Sequence, residues 1–448
     1  MFMGPRSIQK PQAAPAKARA AAWRFEACPR QPFGLPGESH DPSIVLRAAR
    51  ALTVVGIVEP PIHRNAPITP ADANGHGHGA ANGILMSWTS QDGGDSFDEG
   101  VVVSDPRFAV SGHGETAPFL TLGRKGLCVV FEQKRPDGKG NDLMAAWSSM
   151  ASTWSKPFCI APKAVASGNS YVSLASGADG LVAAAWLDSR DKSGGGPHVF
   201  VAISEDGGKT WGDAFSVAAG ACPCCRPGIA ISDKRAISVS WRNVETGDIR
   251  DIFTVSSTDG GKSFSKPKLV IRDGWRVSGC PHTGCALAYQ GDILHAAWYS
   301  AGNGRGTSGI RHATSATHGN VWDKPVIISG GTLDPNHPMI SSTEGSVLVA
   351  FQARPTRGDG WEPYAAHIVD VTAPATRARG WSECPSGGKA VSYPRVLQDA
   401  IGRAWVVSTA GHKVTITRAR RGISEIWKPI ISSAIHAIID AWMALSHF

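Results

Sequence analysis

No stretch of the 448 residues is apolar for long enough to cross a bilayer as a helix, so no membrane-spanning helix is expected. Basic residues are in modest excess, 45 Lys and Arg against 37 Asp and Glu, yet they gather into no run with interleaved aromatics. That leaves nucleic acid out as a partner. Residues 1–22 carry basic side chains but lack the apolar core of a secretory signal. Two paired Cys-x-x-Cys units, as in a zinc finger, are missing, and so is the Cys-x-x-Cys-His of a haem attachment. What is abundant is Gly (51), Pro (30) and Trp (15), a mixture that suits many short strands joined by tight turns around aromatic seams.

The most informative feature is a repeated turn. Ser204-Glu205-Asp206-Gly207-Gly208-Lys209-Thr210-Trp211 has two further copies, Ser90-Gln91-Asp92-Gly93-Gly94-Asp95-Ser96-Phe97 and Ser257-Thr258-Asp259-Gly260-Gly261-Lys262-Ser263-Phe264. Gly supplies positive φ, the Asp carboxylate accepts turn N–H groups, and the aromatic plugs the seam beside the turn; this is a hairpin device. Two ladders keep the same beat. One is an apolar lead-in residue: Ile44, Leu120, Leu174, Ile229, Leu287, Ile340 and Val396. The other is an aromatic ending an alternating strand: Phe131, Trp186, Trp241, Trp298, Phe351 and Trp405. After the longer first interval, both recur every 53 to 58 residues. A third aromatic (Phe97, Trp154, Trp211, Phe264, Trp322, Trp381) persists where the turn motif degrades.

Four short strands per period of this length are the pattern of a β-propeller blade. The fold expected is therefore all-β, a propeller of four-stranded antiparallel blades, seven by repeat count, or six if Ile44–Val58 is not a blade start. The division expected is 1–37 mostly disordered, 38–418 propeller and 419–448 a helical tail. The last unit, Tyr393 to Arg418, offers three strands, so residues 22–26 are the available fourth. Ile423, Ile426, Trp427, Ile430, Ile431, Ile435, Ile438, Ile439, Trp442 and Met443 recur at helical spacing, an amphipathic C-terminal helix that docks on the propeller or on a partner. His76 and His78, in Gly75–Gly79, read as part of a surface loop.

The repeated turn resembles the Asp box (BNR repeat) of sialidases and related propellers. The resemblance implies that Asp-box turns mark one face and that the lead-in loops ring the opposite mouth of the axial channel. Those loops carry His113, Glu115, Arg226, His337 and Arg395 as candidate ligand-binding residues for a small molecule, glycan or protein. They also carry Cys222-Pro223-Cys224-Cys225 and, one unit later, Cys280-Pro281-His282. Thiolate and imidazole are preferred ligands of copper and zinc, so Cys222, Cys224, Cys225, Cys280 and His282 form a candidate metal site. The rival reading is disulfides, with Cys222 or Cys224 bonded to Cys280 or Cys285 in an oxidising compartment. The grouped cysteines lean towards an extracytoplasmic setting, which residues 1–22 do not support.

The resemblance carries a glycosidase alternative as well. Sialidases hold the substrate carboxylate with an Arg triad and use a Tyr nucleophile activated by Glu, with an Asp acid. Arg242, Arg305 and Arg354, with Tyr299 or Tyr393, Glu245 and Asp188, are the residues that would fill these roles. The Arg-Ile-Pro segment that carries the first triad Arg in sialidases is missing. A third alternative is a non-catalytic interaction propeller.

Overall fold

The computed structural model describes residues 23–27, 38–48, 50–59, 83–112, 114–137, 140–161, 169–177, 179–190, 196–303, 308–330, 332–354, 362–368, 378–383, 391–410 and 413–421. Their strands form seven antiparallel sheets, six of four strands and one of five. The third sheet is representative, with Asn169–Ser176, Val182–Asp188, His198–Ser204 and Phe215–Ala218 side by side in sequence order. The first strands of successive sheets meet around a closed circle. It runs Glu38–Ala48, Phe119–Gly123, Asn169–Ser176, Gly228–Ile231, Cys285–Gln290, Leu333–Thr343 and Val391–Gln398, and returns to Glu38–Ala48. This is a β-propeller with four-stranded antiparallel blades.

The last sheet takes its outermost strand from the other end of the chain. Trp23–Ala27 lies antiparallel to Lys413–Arg421, with Trp23 opposite Arg421 and Ala27 opposite Thr417. Pairing the two ends in one sheet covers a backbone edge that would otherwise be open. The strand Lys413–Arg421 passes the boundary expected at 418. The amphipathic helix expected beyond it lies outside the described residues, as do His76, His78, Cys28 and Cys384. Among the described residues there is no α-helix, and none long and apolar enough to cross a membrane.

Each sheet is covered on both faces by its neighbours, and the second strands show it. Val182–Asp188 is buried at every position, with three alanines that let adjacent sheets approach. Phe131, Trp186, Trp241, Trp298, Phe351 and Trp405 are each no more than 2% exposed. A buried aromatic removes roughly 150–250 Å² from water, an upper estimate of about 4–6 kcal/mol apiece at ~25 cal/mol/Å². The indole N–H groups find acceptors: Trp186 donates to Asp188 Oδ2 (3.2 Å), Trp298 to Asp273 Oδ2 (2.7 Å) and Trp405 to the Gly93 carbonyl (3.0 Å).

The repeated turns join third to fourth strands. In one, Gly208 N donates to Ser204 Oγ (2.8 Å), Thr210 N to Asp206 Oδ1 (2.9 Å) and Thr210 Oγ1 to Asp206 Oδ2 (2.7 Å). Ser90/Asp92/Ser96 and Ser257/Asp259/Ser263 repeat this pattern. Gly208 has φ +94°, and a Cβ there would stand 2.4 Å from Cys128 Sγ, so both backbone and packing demand glycine. Where the motif degrades the geometry survives: Thr317 Oγ1 takes the place of the Asp, accepting Val321 N at 2.8 Å.

One first strand is interrupted, and this positions the site. Val110–Ser111 and Phe119–Gly123 both pair with Gly126–Lys134, but the residues between them leave the sheet. A single 3₁₀ turn, Gly114–Thr116, sits there and carries Glu115.

Candidate functional site

The lead-in loops share an unusual backbone device. Asp41, Tyr171, His337 and Tyr393 all have φ between 51° and 63°, and each lies inside a register shift at the start of its sheet. His282, in the corresponding loop of the fifth sheet, has φ 50°. The left-handed region costs a non-glycine residue about 1–2 kcal/mol, and such strain concentrates at functional sites. Here it falls on the loops that ring the channel mouth.

Below the mouth lies a cavity of about 270 Å³. Every member of the apolar lead-in ladder lines it, and Glu115, Arg226, His337 and Arg395 line it too. Glu115 is the hub. Its Oε1 accepts from His337 Nδ1 (2.8 Å), its Oε2 accepts from Arg226 N (3.3 Å), and the Arg226 guanidinium lies 4.0 Å from Oε2. Burial by itself raises this carboxyl, but the Arg226 charge and the His337 hydrogen bond outweigh it and hold the group below the usual range. Asp41 Oδ1 accepts Gly114 N at 2.9 Å and pins the turn. Tyr393 closes over it: a Cβ on Gly114 would lie 2.0 Å from the Tyr393 ring, and that ring sits 4.2 Å from the His337 ring.

Arg395 is the anomaly in this cluster. It is 5% exposed, its guanidinium lies 4.2 Å over the Phe119 ring, and neither Nη1 nor Nη2 has a hydrogen-bond partner among the described residues. Burial, then repulsion from Arg226, hold its pKa well below the ordinary value.

Beside the cavity the cysteines converge. Cys222, Cys224 and Cys225 are buried, and their sulfurs form a triangle with edges of 3.6, 3.9 and 3.3 Å. Tyr171 and Val244 pack on them, and Arg250 Nη1 donates to Cys222 Sγ at 3.1 Å. Hydrogen bonds from the Cys224 and Cys225 thiols, with a smaller contribution from that guanidinium, hold the Cys222 thiol down, while the same network pushes Cys224 up and burial pushes Cys225 up. From the next sheet, Cys280 and His282 bring ligand atoms within 4.8 Å of Cys224 Sγ and of each other. The three edges, 3.3 to 3.9 Å, compare with about 3.8 Å between sulfurs that share a tetrahedral ion at metal–sulfur bonds of about 2.3 Å. The expected staple between Cys222 or Cys224 and Cys280 or Cys285 is not formed. All seven described cysteines are free.

Among the described residues, those suggested for sialidase-type roles do not meet. Arg242 is fully buried and donates to three carbonyls, Thr283 (3.0 Å), Arg250 (2.7 Å) and Tyr299 (2.8 Å), as a clamp between sheets. Arg354 is exposed and pairs with Asp334, and neither arginine lines the cavity. Tyr299 packs edge-on against Trp275 (5.2 Å), and Glu245 pairs with Arg272. Asp188, fully buried, accepts from the Trp186 indole and from Arg190 N (2.9 Å). Of that set Tyr393 alone is shown beside the cavity cluster. Arg305 and His113 lie outside the described residues.

One contributor was not singled out from sequence, the Phe119 platform under Arg395. A usable signal for the mouth was the X-Pro pair that recurs at or within the entry of the first strands, as Asp41-Pro42, Arg226-Pro227, His337-Pro338 and Tyr393-Pro394.

No protein-family model matches the chain, and no curated protein matches it. Among solved structures it is similar to a protein of unknown function from Dyadobacter fermentans, at 14% identity and TM-score 0.49 over 89% of this chain and 99% of that one. It is similar also to an α-L-arabinofuranosidase from Fusarium graminearum (12%, TM-score 0.45, 87% and 95%) and a Trypanosoma rangeli sialidase (12%, TM-score 0.43, 73% and 56%). The chain thus spans little more than half of that sialidase. The fold itself, a β-propeller of four-stranded antiparallel blades, rests on the order of its own sheets. At these identities the likeness concerns backbone layout, and the chemistry of this propeller rests on its own side chains.

Proposed function

We propose that the chain is a seven-bladed Asp-box propeller, with its blades in residues 38–421 and a closing strand at 23–27, and its working face at the mouth ringed by the lead-in loops. It binds a transition metal, copper or zinc, through Cys222, Cys224 and Cys225, with Cys280 and His282 as neighbouring donors around the shared Cys224. The observation that carries this reading is the sulfur triangle, three buried thiols with edges of 3.3 to 3.9 Å. Three thiols brought this close to one another and to a guanidinium suit a cation that is absent from an ordinary apolar core, because thiolates are its soft ligands. Elemental analysis of the purified chain tests the reading. One equivalent of copper or zinc is expected, lost in a Cys224→Ser/Cys225→Ser variant that still melts cooperatively; metal retained by that variant, or none in the parent protein, refutes it.

A second ligand is supported by Arg395. Its idle guanidinium, beside Arg226, Glu115 and His337 in the cavity, suits a small carboxylate or oxyanion. Equilibrium dialysis with small carboxylates and oxyanions tests this, and Arg395→Met is expected to abolish any binding. Dialysis that finds no carboxylate or oxyanion bound, or binding unchanged by that substitution, refutes it.

A further inference from the structure

The two donor sets at the mouth share one atom. Cys224 Sγ belongs to the triangle with Cys222 and Cys225, and equally to the set with Cys280 and His282. Among the described residues no set unites all five donors within the same 4.8 Å. The sets differ in access, since the three sulfurs of the first are buried while Cys280 and His282 are exposed. They differ in chemistry too, the first all sulfur and the second mixed with imidazole.

Resting on the metal-binding reading above, we propose that the mouth is a two-position relay for monovalent copper. The rim position, Cys224–Cys280–His282, takes the ion from an outside donor, and the buried position, Cys222–Cys224–Cys225, keeps it. Copper is favoured over zinc by coordination number. Structural zinc is almost always four-coordinate, whereas the buried set offers three donors, all thiolates, which soft monovalent copper accepts. Three thiolates around one monovalent cation leave net negative charge, and the Arg250 guanidinium, 3.1 Å from Cys222 Sγ, stands against it.

The transfer is a ligand exchange without redox change. Copper remains bonded to Cys224 Sγ throughout. Its bonds to Cys280 Sγ and the His282 nitrogen break as bonds to Cys222 Sγ and Cys225 Sγ form. The two incoming thiols each release a proton; the departing Cys280 thiolate takes one and solvent takes the other, while the imidazole leaves neutral.

Anaerobic stopped-flow with copper(I) bicinchoninate as donor, on the full chain, tests the relay. The parent protein is expected to withdraw one copper. A Cys280→Ser/His282→Ala variant is expected to reach the same final stoichiometry at least about tenfold more slowly, and Cys222→Ser to load at the parent rate but lose copper to excess chelator at least about tenfold faster. Rim substitutions fall on exposed side chains, so that arm is decisive even if Cys222→Ser fails to fold. Parental loading by the rim variant overturns the relay while leaving the metal site standing. Complete loss of copper from that variant overturns it in favour of one shared five-donor site. A parent protein that takes up no copper at all overturns the relay, and if it takes up no zinc either, the metal-binding reading falls with it.

Discussion

Arg242 separates a structural account of this propeller from a sialidase-type one. Replacing it with Met keeps much of the aliphatic bulk but removes three donors and leaves the carbonyls of Thr283, Arg250 and Tyr299 without their partner. Each orphaned buried acceptor costs about 1–3 kcal/mol, and part of the sum is recovered where water or relaxation reaches it, so a net loss of about 4 kcal/mol is expected. The stacking of the guanidinium on Trp275, at 4.8 Å, is lost as well. With unfolding entropy near 2.1 cal/mol/K per residue, 448 residues give about 0.9 kcal/mol/K, and the melting temperature should fall by about 4–5 °C. Differential scanning calorimetry of the parent and Arg242→Met, at one protein concentration and metal content, measures it. The clamp reasoning is refuted if the variant melts within 1 °C of the parent, roughly 1 kcal/mol on the same scale, and refuted doubly if it instead loses turnover of a sialoside that the parent cleaves.

Three further outcomes follow from single side chains. Burial pushes Glu132 up to about 7 in spite of hydrogen bonds from Ser170, Tyr171 N and Asn141. The native state therefore holds a proton that the unfolded chain has released, and this contribution falls as pH rises from about 4.5 to about 7, at no more than ~1.4 kcal/mol per pH unit. Glu132→Gln should gain on the parent through that window in urea titrations, and parallel pH profiles would contradict it. Arg395→Met should raise stability by about 1–3 kcal/mol, because it removes a buried unpaired charge repelled by Arg226, while costing any anion affinity; a lower melting point would show that the guanidinium is satisfied after all. Asp206→Ala deletes the acceptor of the Lys209 and Thr210 N–H groups and should cost about 1–2 kcal/mol, and a neutral result would deny the turn its role.

The architecture was legible because packing repeats itself. Trp186, Trp241 and Trp298 keep their spacing since each fills the same seam, and Leu174, Ile229 and Leu287 keep theirs since each faces the channel. The Cys/His neighbourhood was legible by the same logic, as adjacent sheets set adjacent loops side by side. Which Arg would face the channel was not. Arg242 and Arg395 are both buried, but one ends in carbonyls of the next sheet and the other in an open cavity, a difference made by side-chain direction and not by spacing. Nor could spacing show that a 3₁₀ turn breaks a first strand and carries Glu115 to His337, 222 residues away.

X-ray absorption at the edge of the metal bound to the native protein tests the central claim most directly. The account predicts a first shell of three sulfur scatterers at about 2.2–2.3 Å, reduced to two or fewer in Cys222→Ser. A shell of nitrogen and oxygen alone, or a native protein whose nine thiols all react freely and which holds no metal, would contradict it.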